Sequence, residues 1–438
     1  MSAGEHAIVV GGSAAGLLAA RVLSDFYPNV TIVERDQLGD EATHRKGTPQ
    51  DQHIHALLAR GQQILDRLFP GLMDELALAG APVGDFGTSL RWYFGATMLR
   101  RTHTDMICVA AGRLLLEQRI RRRVAAIPGV RILDSTEVTG LLSDASRTRV
   151  TGVRVHRASE ADGVAELTGD LVIDAAGRGT RLPVWLSELG YPEVARELIK
   201  VGLGYTTRYY EKFPDFNPLG EDIGILAVAS PQSPRGATMG RLPGTHALVL
   251  TGLRGDHPPR EHGAFLDFVA SLPVPGIHRG IVTAEPTGPP IFYHFPASVR
   301  FHYERMKRLP EGVVALGDSL CTFNPTYGQG MTVGAIEADL LREHLERHGG
   351  ARTAQLQRRL GRAVDVPWAL SGGYDLAFPQ AEGRRTIATR MGNAYIPRLQ
   401  RAAATDPVLS RAFLRVAGLV DPPSTLMRPE IVARALKG

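Results

Sequence analysis

The sequence has few of the features that would mark a specialised class of protein. It contains two cysteines among 438 residues, Cys108 and Cys321, which excludes a disulfide framework and fits a reducing compartment. Acidic and basic residues nearly balance, 45 against 50, so the charge gives no reason to expect nucleic-acid binding. Apolar residues at 44% and charged residues at 22% are typical of an ordinary globular protein with ample core.

Long hydrophobic runs are also missing. The apolar segment 7–23 is interrupted by Gly11, Gly12 and Gly16 and is shorter than a membrane-spanning helix. The opening residues MSAGEHA are polar and carry no basic region before an apolar core, so no signal peptide is predicted. The sequence also contains no internal repeat or low-complexity segment. We therefore expect a cytoplasmic protein without a membrane anchor.

The first 36 residues show a pattern typical of dinucleotide binding. Residues 7–10 predict a strand, 11–16 a glycine-rich turn, the segment up to 23 a helix, and 30–33 a second strand that ends before Glu34 and Arg35. Glycines allow the backbone to approach a pyrophosphate, and the acid reaches the ribose hydroxyls. Ser13 replaces the usual second glycine, so the turn alone would also suit simple packing. The complete strand–helix–strand–acid context favours a dinucleotide.

A second stretch, 312–341, predicts the far side of the same site. An apolar run ends at Gly317 and Asp318, which places a carboxylate at a strand end where ligand hydroxyls can donate to it. The loop 324–330 keeps side chains small where backbone must approach a ligand closely. A helix predicted from Met331 directs its amides and positive dipole end toward that ligand. Such a site suits an electron-rich ring system that becomes anionic when reduced.

These motifs resemble the FAD-dependent aromatic hydroxylase and epoxidase superfamily. The wording FNPTYGQGMT is most similar to the polyether (lasalocid-type) epoxidase branch, and the resemblance covers about residues 5–380. It implies FAD bound without a covalent link. The implied FAD contacts are Gly11, Ser13, Ala14, Ala15, Gly16, Glu34, Arg35, Arg45, Gly47, Arg113, Val138, Ala176, Gly177, Gly317, Asp318, Pro325, Gly328, Gly330 and Met331.

The resemblance also suggests individual roles. Arg45 and Gly47 would lie against the flavin, and Arg113 would contact the FAD phosphates unless it is a solvated charge at a helix start. A meander of short strands is predicted at 131–134, 137–142, 150–156 and 164–167, and an apolar strand at 171–174 leads into the loop with Ala176 and Gly177. The backbone of Val138 would meet the adenine. Ala176 replaces an aspartate implicated in nicotinamide binding, so direct use of NAD(P)H is in doubt and a separate flavin reductase is the expected electron source.

No catalytic residue is assigned, because oxygen transfer by a flavin requires none from the protein. The candidates near the ring are Arg45, His53 and Pro325. His53 and His55 lie two residues apart, which is wrong for two ligands on one helical face, so no metal is predicted.

A substrate region is predicted over 181–296, with strands at 201–210, 223–229, 237–241 and 247–252 and a helix at 263–272. The candidate pocket residues are Trp92, Phe94, Tyr210, Phe292 and Phe295. For residues 92–94, packing in the core is an equal alternative to lining a pocket. The region offers aromatic and aliphatic side chains rather than the paired Arg or Tyr groups expected around a phenolate.

The predicted fold is α/β, with a discontinuous Rossmann-like FAD-binding domain, a mixed β-sheet substrate domain and a C-terminal helical segment. The predicted FAD-binding parts are 1–78, 104–180 and 297–350; the substrate parts are 79–103 and 181–296; the helical segment is 351–438. We predict that this tail is broken at Pro367, Pro379, Pro397 and Pro422-Pro423. Its apolar residues form no unbroken stripe, which favours packing over membrane attachment.

The implied function is a flavoprotein monooxygenase of secondary metabolism. Through a flavin hydroperoxide and dioxygen it would epoxidise an alkene in a small apolar polyketide- or terpenoid-like substrate. The alternatives are an aromatic or polyketide hydroxylase, a flavin-dependent reductase and a non-redox cyclase. A flavin halogenase is disfavoured because its Trp-x-Trp-x-Ile-Pro motif is missing, the three tryptophans being isolated.

Overall fold

The computed structural model describes residues 3–55, 57–157 and 164–437. The strands are β1 (His6–Val10), β2 (Asn29–Val33), β3 (Val83–Asp85), β4 (Leu90–Phe94), β5 (Thr97–Met98), β6 (Ile107–Val109), β7 (Val130–Leu133), β8 (Thr136–Ser143), β9 (Val150–Arg157), β10 (Val164–Thr168), β11 (Leu171–Asp174), β12 (Arg196–Tyr210), β13 (Gly224–Val228), β14 (Gly236–Leu242), β15 (Thr245–Gly252), β16 (Ile291–Phe301), β17 (Val313–Ala315) and β18 (Cys321–Thr322). The helices are α1 (Ala14–Leu23), α2 (Ala59–Leu68), α3 (Leu72–Leu78), α4 (Arg113–Ala125), α5 (Leu182–Glu188), α6 (His262–Ala270), α7 (Ile277–Ile281), α8 (Gln329–His348), α9 (Thr353–Asp375), α10 (Ile387–Ala402), α11 (Pro407–Ala417) and α12 (Pro429–Lys437).

A parallel sheet of five strands forms the first layer, in the order β17-β11-β1-β2-β7. Its three central strands are almost entirely buried, as expected when helices cover both faces. The strands come from separated parts of the chain, yet their carboxyl ends lie at one edge. Ligands of open α/β sheets bind outside that edge.

The placement of β7 differs from the sequence prediction, which grouped 131–134 with a meander of short strands. In the structure β7 pairs in parallel with β2, and the antiparallel meander contains only β8, β9 and β10. Alternation along a short strand shows that it is half-buried but does not indicate which sheet it joins.

An eight-stranded mixed sheet forms the second large layer, in the order β18-β16-β12-β15-β14-β13-β4-β5. Its one parallel pair joins β4, from the early excursion, to β13. β16 is absent from the sequence prediction because Pro296 interrupts its pattern. The pairing of β16 with β12 changes register between Ala297 and Phe295, so the proline lies where the ladder is already irregular.

The C-terminal helices correct two predicted breaks. α9 continues through Pro367 and α10 through Pro397, whereas Pro379 and Pro422-Pro423 do lie between helices. An interior proline costs a helix about 3 kcal/mol, but tertiary packing can offset this. Here Leu360, Val364 and Trp368 are buried around the proline of α9. None of the described helices is sufficiently long and apolar to span a bilayer. The predicted domain limits remain predictions.

Candidate functional site

Three loops meet at the carboxyl edge of the parallel sheet, following β1, β11 and β17. Gly11 has a φ of +101°, and a Cβ built there would lie 2.4 Å from the Ala175 carbonyl oxygen. A Cβ on Gly317, whose φ is +63°, would lie 2.7 Å from the Cβ of Ala15. The structure therefore brings the three predicted glycine-rich segments together, with glycine required by both conformation and space.

Asp174, the last residue of β11, ties two of these loops. Its buried carboxylate accepts hydrogen bonds from the Ala176 amide at 3.0 Å and from Ser319 Oγ at 3.2 Å, and also from the hydroxyl of Thr180. The amide of Gly177 donates to Ser319 Oγ at 2.9 Å. The loop that contains Ala176 and Gly177 is therefore fixed from below by a carboxylate.

The turn into α1 leaves its first amides available. Ser13 stands at the N-cap but makes no capping hydrogen bond; its hydroxyl donates to Glu117 Oε2 at 2.8 Å instead. A Cβ on Gly16 would lie 1.9 Å from the Gly11 carbonyl oxygen, so only glycine allows this close turn. Uncapped amides at a helix N-terminus form an anion site, and they suit a diphosphate.

Two arginines face the same anion site. Arg113 donates from Nη2 to Ser13 Oγ at 2.9 Å, and Arg45 is buried with its guanidinium hydrogen-bonded to Glu117. Nη1 of Arg45 also lies 3.7 Å from Oε2 of Glu34. The same Glu34 oxygen accepts a hydrogen bond from the Gly12 amide at 2.7 Å. A cavity adjoins Arg45, Arg113 and Glu117. The sequence did not single out Glu117, although its position four residues after Arg113 was a usable signal.

The remaining N-terminal candidates lie around this cluster. Gly47 donates its amide to Asp36 Oδ2 at 2.8 Å, and Arg35 approaches Gly179. Val138 lies in β8, whose first residue, Thr136, donates its amide to the Glu34 carbonyl oxygen at 2.9 Å. The acid, the loops and the start of β8 therefore form a continuous crevice edge.

Asp318 presents a half-buried carboxylate to the crevice. The carboxylate accepts no hydrogen bond from any residue that the structure describes, and its Oδ1 would lie 3.9 Å from a Cβ built on Gly330. Burial raises the pKa of Asp318, while the charges of Arg113 and Arg178 oppose that shift. A carboxylate in this position has acceptor capacity to offer a ligand.

Next to Asp318, the carboxylate of Glu337 in α8 accepts a hydrogen bond from the Gly317 amide at 2.5 Å. Burial raises the pKa of Glu337 to about 8. The loop carrying Asp318 is thus held through the backbone of Gly317, while the Asp318 carboxylate stays unengaged.

The loop 324–330 leads into α8. Pro325 lies in a short 3-10 turn, Gly328 has a φ of +64°, and α8 begins at Gln329, two residues before the predicted start. Met331 lines a cavity together with His55. The amide end of α8 is therefore directed toward the same crevice as Asp318.

A polar cluster faces this crevice from the mixed sheet. His53 is buried and its Nδ1 lies 2.6 Å from Thr207 Oγ1, while its Nε2 has no partner within the described chain. Its ring packs edge-on against Tyr205, with centroids 4.4 Å apart, and burial lowers the pKa of His53 to about 4. Tyr205 lies beside Tyr293, whose hydroxyl accepts from Arg178 Nη1 at 2.5 Å. His53 was predicted to lie near the ring, but its grouping with Thr207, Tyr205 and Tyr293 was not predicted.

The five predicted pocket residues do not line one pocket. Tyr210 is fully buried in a core cluster with Phe265 and Phe268, beneath α6. Phe292 and Phe295 are three residues apart on β16 and so lie on opposite faces, with Phe295 under Arg178 and Phe292 under Arg260. A prediction from residue type alone cannot assign the face of a strand that it did not recognise.

Trp92 and Phe94 pack against the C-terminal helices: Trp92 Nε1 donates to the Phe86 carbonyl oxygen, and Phe94 meets Phe413 edge-on. The strand register nevertheless places Trp92 in one cross-strand row with Leu226, Thr238, Val249 and Thr207. Paired residues share a sheet face, so this row continues from the His53 cluster toward the C-terminal helices.

Comparison with known proteins gives the family. Over 445 aligned residues the chain is 35% identical to Protein Rv3254 of Mycobacterium tuberculosis, covering 99% of this chain and 93% of that protein. The chain belongs to the family of Protein Rv3254. No protein-family model matches it.

Solved structures show the fold. The flavin-dependent brominase Bmp2 superposes with a TM-score of 0.69 at 15% identity, covering 99% of this chain and 98% of that chain. The p-nitrophenol 4-monooxygenase PnpA from Pseudomonas putida DLL-E4 superposes with a TM-score of 0.65 at 17% identity, covering 97% and 100%. The predicted fold class is therefore confirmed: this is the fold of FAD-binding monooxygenases and halogenases.

Proposed function

We propose that this protein is an FAD-dependent monooxygenase. The observation that carries the proposal is the Asp318 carboxylate, which accepts no hydrogen bond within the described residues although three ligand-type loops surround it. The carboxylate is half-buried and keeps its full acceptor capacity, so we expect a ligand to donate to it at this crevice. The residues present fit FAD: amides and two arginines suit the diphosphate, Glu34 suits a ribose, and α8 directs its N-terminus at a ring.

The protein's own contribution is binding, orientation and exclusion of water. FAD, when bound, supplies the redox chemistry that activates dioxygen. Arg45, Arg113 and the N-terminus of α1 would hold the diphosphate, and the loop 324–330 would fix the ring. The mixed-sheet face beyond His53 would hold the substrate beside that ring. A water-excluded site protects a reactive oxidant from unproductive decay.

For the reaction, we propose epoxidation of an alkene in an apolar polyketide- or terpenoid-like compound. The support is the resemblance of the segment 323–332 to polyether epoxidases, together with the cross-strand row beyond the polar cluster, which contains the apolar residues Val249, Leu226 and Trp92 beside Thr238. Oxygen transfer to an alkene needs a shape-selecting apolar surface and close approach, and no acid or base at the reacting atoms.

A specific observation favours hydroxylation of a phenol as the second candidate. Tyr205, Tyr293 and Arg178 form a connected group beside His53, which is the kind of arrangement that sequence reasoning expected only around a phenolate. The charge of Arg178 acts on both Tyr205 and Asp318, so it would favour an anionic oxygen on a substrate held beside them. This cluster removes one of the reasons for preferring an alkene, namely the supposed lack of paired tyrosines.

The decisive experiment supplies purified protein with FAD, a flavin reductase, NADH and labelled dioxygen. Matched panels of alkenes and phenols are then screened by mass spectrometry, with bromide present in parallel reactions. A labelled epoxide supports the first proposal, and a labelled phenol product with every alkene untouched supports the second. A brominated product would instead show that the protein shares halogenating activity, as well as its fold, with the brominase. A protein that takes up no FAD contradicts the proposal as a whole.

The Tyr293→Phe variant separates the first two reactions further. It removes the hydroxyl that accepts from Arg178 and keeps the ring. Phenol turnover should then fall by about tenfold or more, while alkene turnover changes little, since a charged hydrogen bond contributes about 1.5–3 kcal/mol. We further propose that the electrons come from NAD(P)H through a separate flavin reductase and that the protein is cytoplasmic.

A further inference from the structure

Asp375, at the end of α9, is a buried carboxylate outside the three crevice loops. It is 2% exposed, although it lies in the C-terminal helical segment rather than at the sheet edge. Its Oδ1 accepts two hydrogen bonds, from Asn324 Nδ2 at 2.8 Å and from the Tyr327 hydroxyl at 2.8 Å. Both donors belong to the loop 324–330. A single carboxylate oxygen therefore joins this loop to α9.

The geometry of the loop depends on that contact. Asn324 turns its Oδ1 inward, where it accepts from the Thr326 amide at 3.0 Å, and turns its Nδ2 outward to Asp375. Tyr327 is followed at once by Gly328 in the left-handed region and by the first residue of α8. Moving either donor would shift the start of α8 and hence the amides directed at the crevice.

The connection continues into α10. Tyr374 packs beside Tyr327 with ring centroids 5.8 Å apart, and its hydroxyl accepts from Gln400 Nε2 at 2.6 Å. The second oxygen of Asp375, Oδ2, is buried without a hydrogen-bond partner among the described residues. An orphaned carboxylate oxygen is unfavourable, so the site is maintained at a cost in stability.

We propose that Asp375 is a positioning residue for the FAD ring, through which the C-terminal helices set the loop 324–330. The inference rests on the proposed function, because the ring is the ligand that this loop would meet. Asp375 itself does not touch the reacting atoms. Burial raises the pKa of Asp375 to about 7, so an uncharged side chain that keeps Oδ1 is the conservative replacement.

Four variants test the proposal. Asp375→Ala removes the acceptor, Tyr327→Phe removes one donor and keeps the ring, and Asp375→Asn keeps an acceptor oxygen. Ser371→Ala is the matched control: Ser371 is buried one turn earlier on α9, and its hydroxyl donates to the Pro367 carbonyl oxygen within the helix. It therefore perturbs α9 without touching the loop.

Two readouts are measured. The first is hydrogen exchange of the backbone amides of residues 324 and 326–331 in the protein without FAD, since Pro325 has no N–H. The second is FAD affinity with the visible circular dichroism of the bound flavin. We expect Asp375→Ala and Tyr327→Phe to speed exchange about tenfold or more, to weaken FAD binding and to alter the flavin dichroism. Asp375→Asn should restore most of each signal, and Ser371→Ala should lower only the melting temperature.

Wild-type exchange at 324–331 in both Asp375→Ala and Tyr327→Phe would overturn the inference, as would wild-type dichroism and affinity. If Asp375→Ala fails to fold, Tyr327→Phe decides, since it deletes a single hydroxyl. Absence of FAD binding by the wild-type protein would contradict the proposed function, whereas the exchange measurement would still show whether Asp375 fixes the loop.

Discussion

At the scale of single residues, the glycines of the crevice are explained by space rather than by flexibility. Gly16 is the sharpest case, because a Cβ there would lie 1.9 Å from a backbone oxygen that cannot move aside. Gly39 is its counterpart, with nothing within 4 Å of an added Cβ. The same chemical change therefore meets opposite surroundings at two positions near the same site.

We predict that Gly16→Val destabilises the protein by about 1–3 kcal/mol or more, since forced overpacking costs that much, and that it abolishes FAD uptake. Gly39→Ala should change stability by less than about 0.5 kcal/mol. Thermal melting and flavin absorbance of the purified proteins check both. A Gly16→Val protein with wild-type melting and bound flavin would show that the turn tolerates a side chain.

Asp318 gives a prediction that depends on pH. Its pKa is raised in the folded protein, so the native state holds this proton more tightly than the unfolded chain. The contribution of Asp318 to stability is therefore most favourable below the unfolded pKa of about 3.9 and is lost as the pH rises through the folded pKa. At pH 7 the wild-type protein carries this penalty, and Asp318→Asn relieves it.

Asp318→Asn should thus melt, without FAD, at or above the wild-type temperature at pH 7, and this advantage should vanish near pH 4. Its FAD affinity should fall about tenfold or more, as expected for loss of a charged acceptor. Asp174→Ala is the contrast: it removes a carboxylate with three hydrogen bonds and should melt lower even without FAD. Parallel destabilisation of both variants without FAD would make Asp318 structural.

Sequence reasoning found the residues whose partners are near in the chain and missed those that the fold brings from afar. Gly11, Gly16, Gly317 and Asp318 follow from local spacing around strand ends. The bond between His53 and Thr207 joins residues 154 positions apart, and no local pattern contains it. Tyr293 follows the predicted pocket residue Phe292, but its pairing with Tyr205 requires the register of two strands.

At the scale of elements, α4 carries both signs of charge into the proposed phosphate site. Arg113 stands in its first turn and Glu117 one turn later, where Glu117 accepts from Ser13 and pairs with Arg45. A carboxylate beside a diphosphate is repulsive, whereas without a ligand it balances two partly buried cations. We therefore expect Glu117 to stabilise the two arginines when no ligand is bound.

We predict that Glu117→Gln lowers the melting temperature without FAD and raises FAD affinity severalfold. Breaking a buried ion pair costs about 3–5 kcal/mol, and removal of the negative charge favours an anionic ligand. Glu75→Gln is the matched control. Glu75 belongs to α3, and its Oε2 lies 2.9 Å from Nη2 of Arg123, which is in the last turn of α4. If affinity falls together with stability, Glu117 aligns the arginines instead of competing with the phosphates.

Several of the elements that sequence reasoning misjudged contain a proline. Pro367 and Pro397 lie inside helices because neighbouring buried residues stabilise them, and Pro296 lies inside β16 where the ladder shifts register. Local propensity predicts a break at each position, and tertiary packing decides otherwise. By contrast, β11 was predicted with its observed bounds. Three consecutive buried apolar residues followed by Asp174 are enough to predict this strand from the local sequence.

At the scale of the whole molecule, the crevice is assembled from both sheets and the C-terminal helices. The parallel sheet provides the loops after β1, β11 and β17, and the mixed sheet provides the His53 cluster. Asp375 connects α9 to the loop between them. The order of motifs in the sequence predicted the first layer well, but it contained no signal that the tail would reach the site.

The last prediction concerns the source of electrons. The sequence resemblance places Ala176 where the aromatic hydroxylases have an aspartate implicated in nicotinamide binding, and in the structure the Ala176 amide donates to Asp174. No carboxylate therefore projects from this point of the loop. We predict that NADPH or NADH alone bleaches the bound flavin slowly or not at all under anaerobic conditions. A flavin reductase added with NADH should bleach it rapidly, which serves as the control that the flavin can be reduced. Stopped-flow absorbance in the visible band of the oxidised flavin would measure both rates. Rapid bleaching by NADPH without a partner would show that other residues of this crevice receive the nicotinamide.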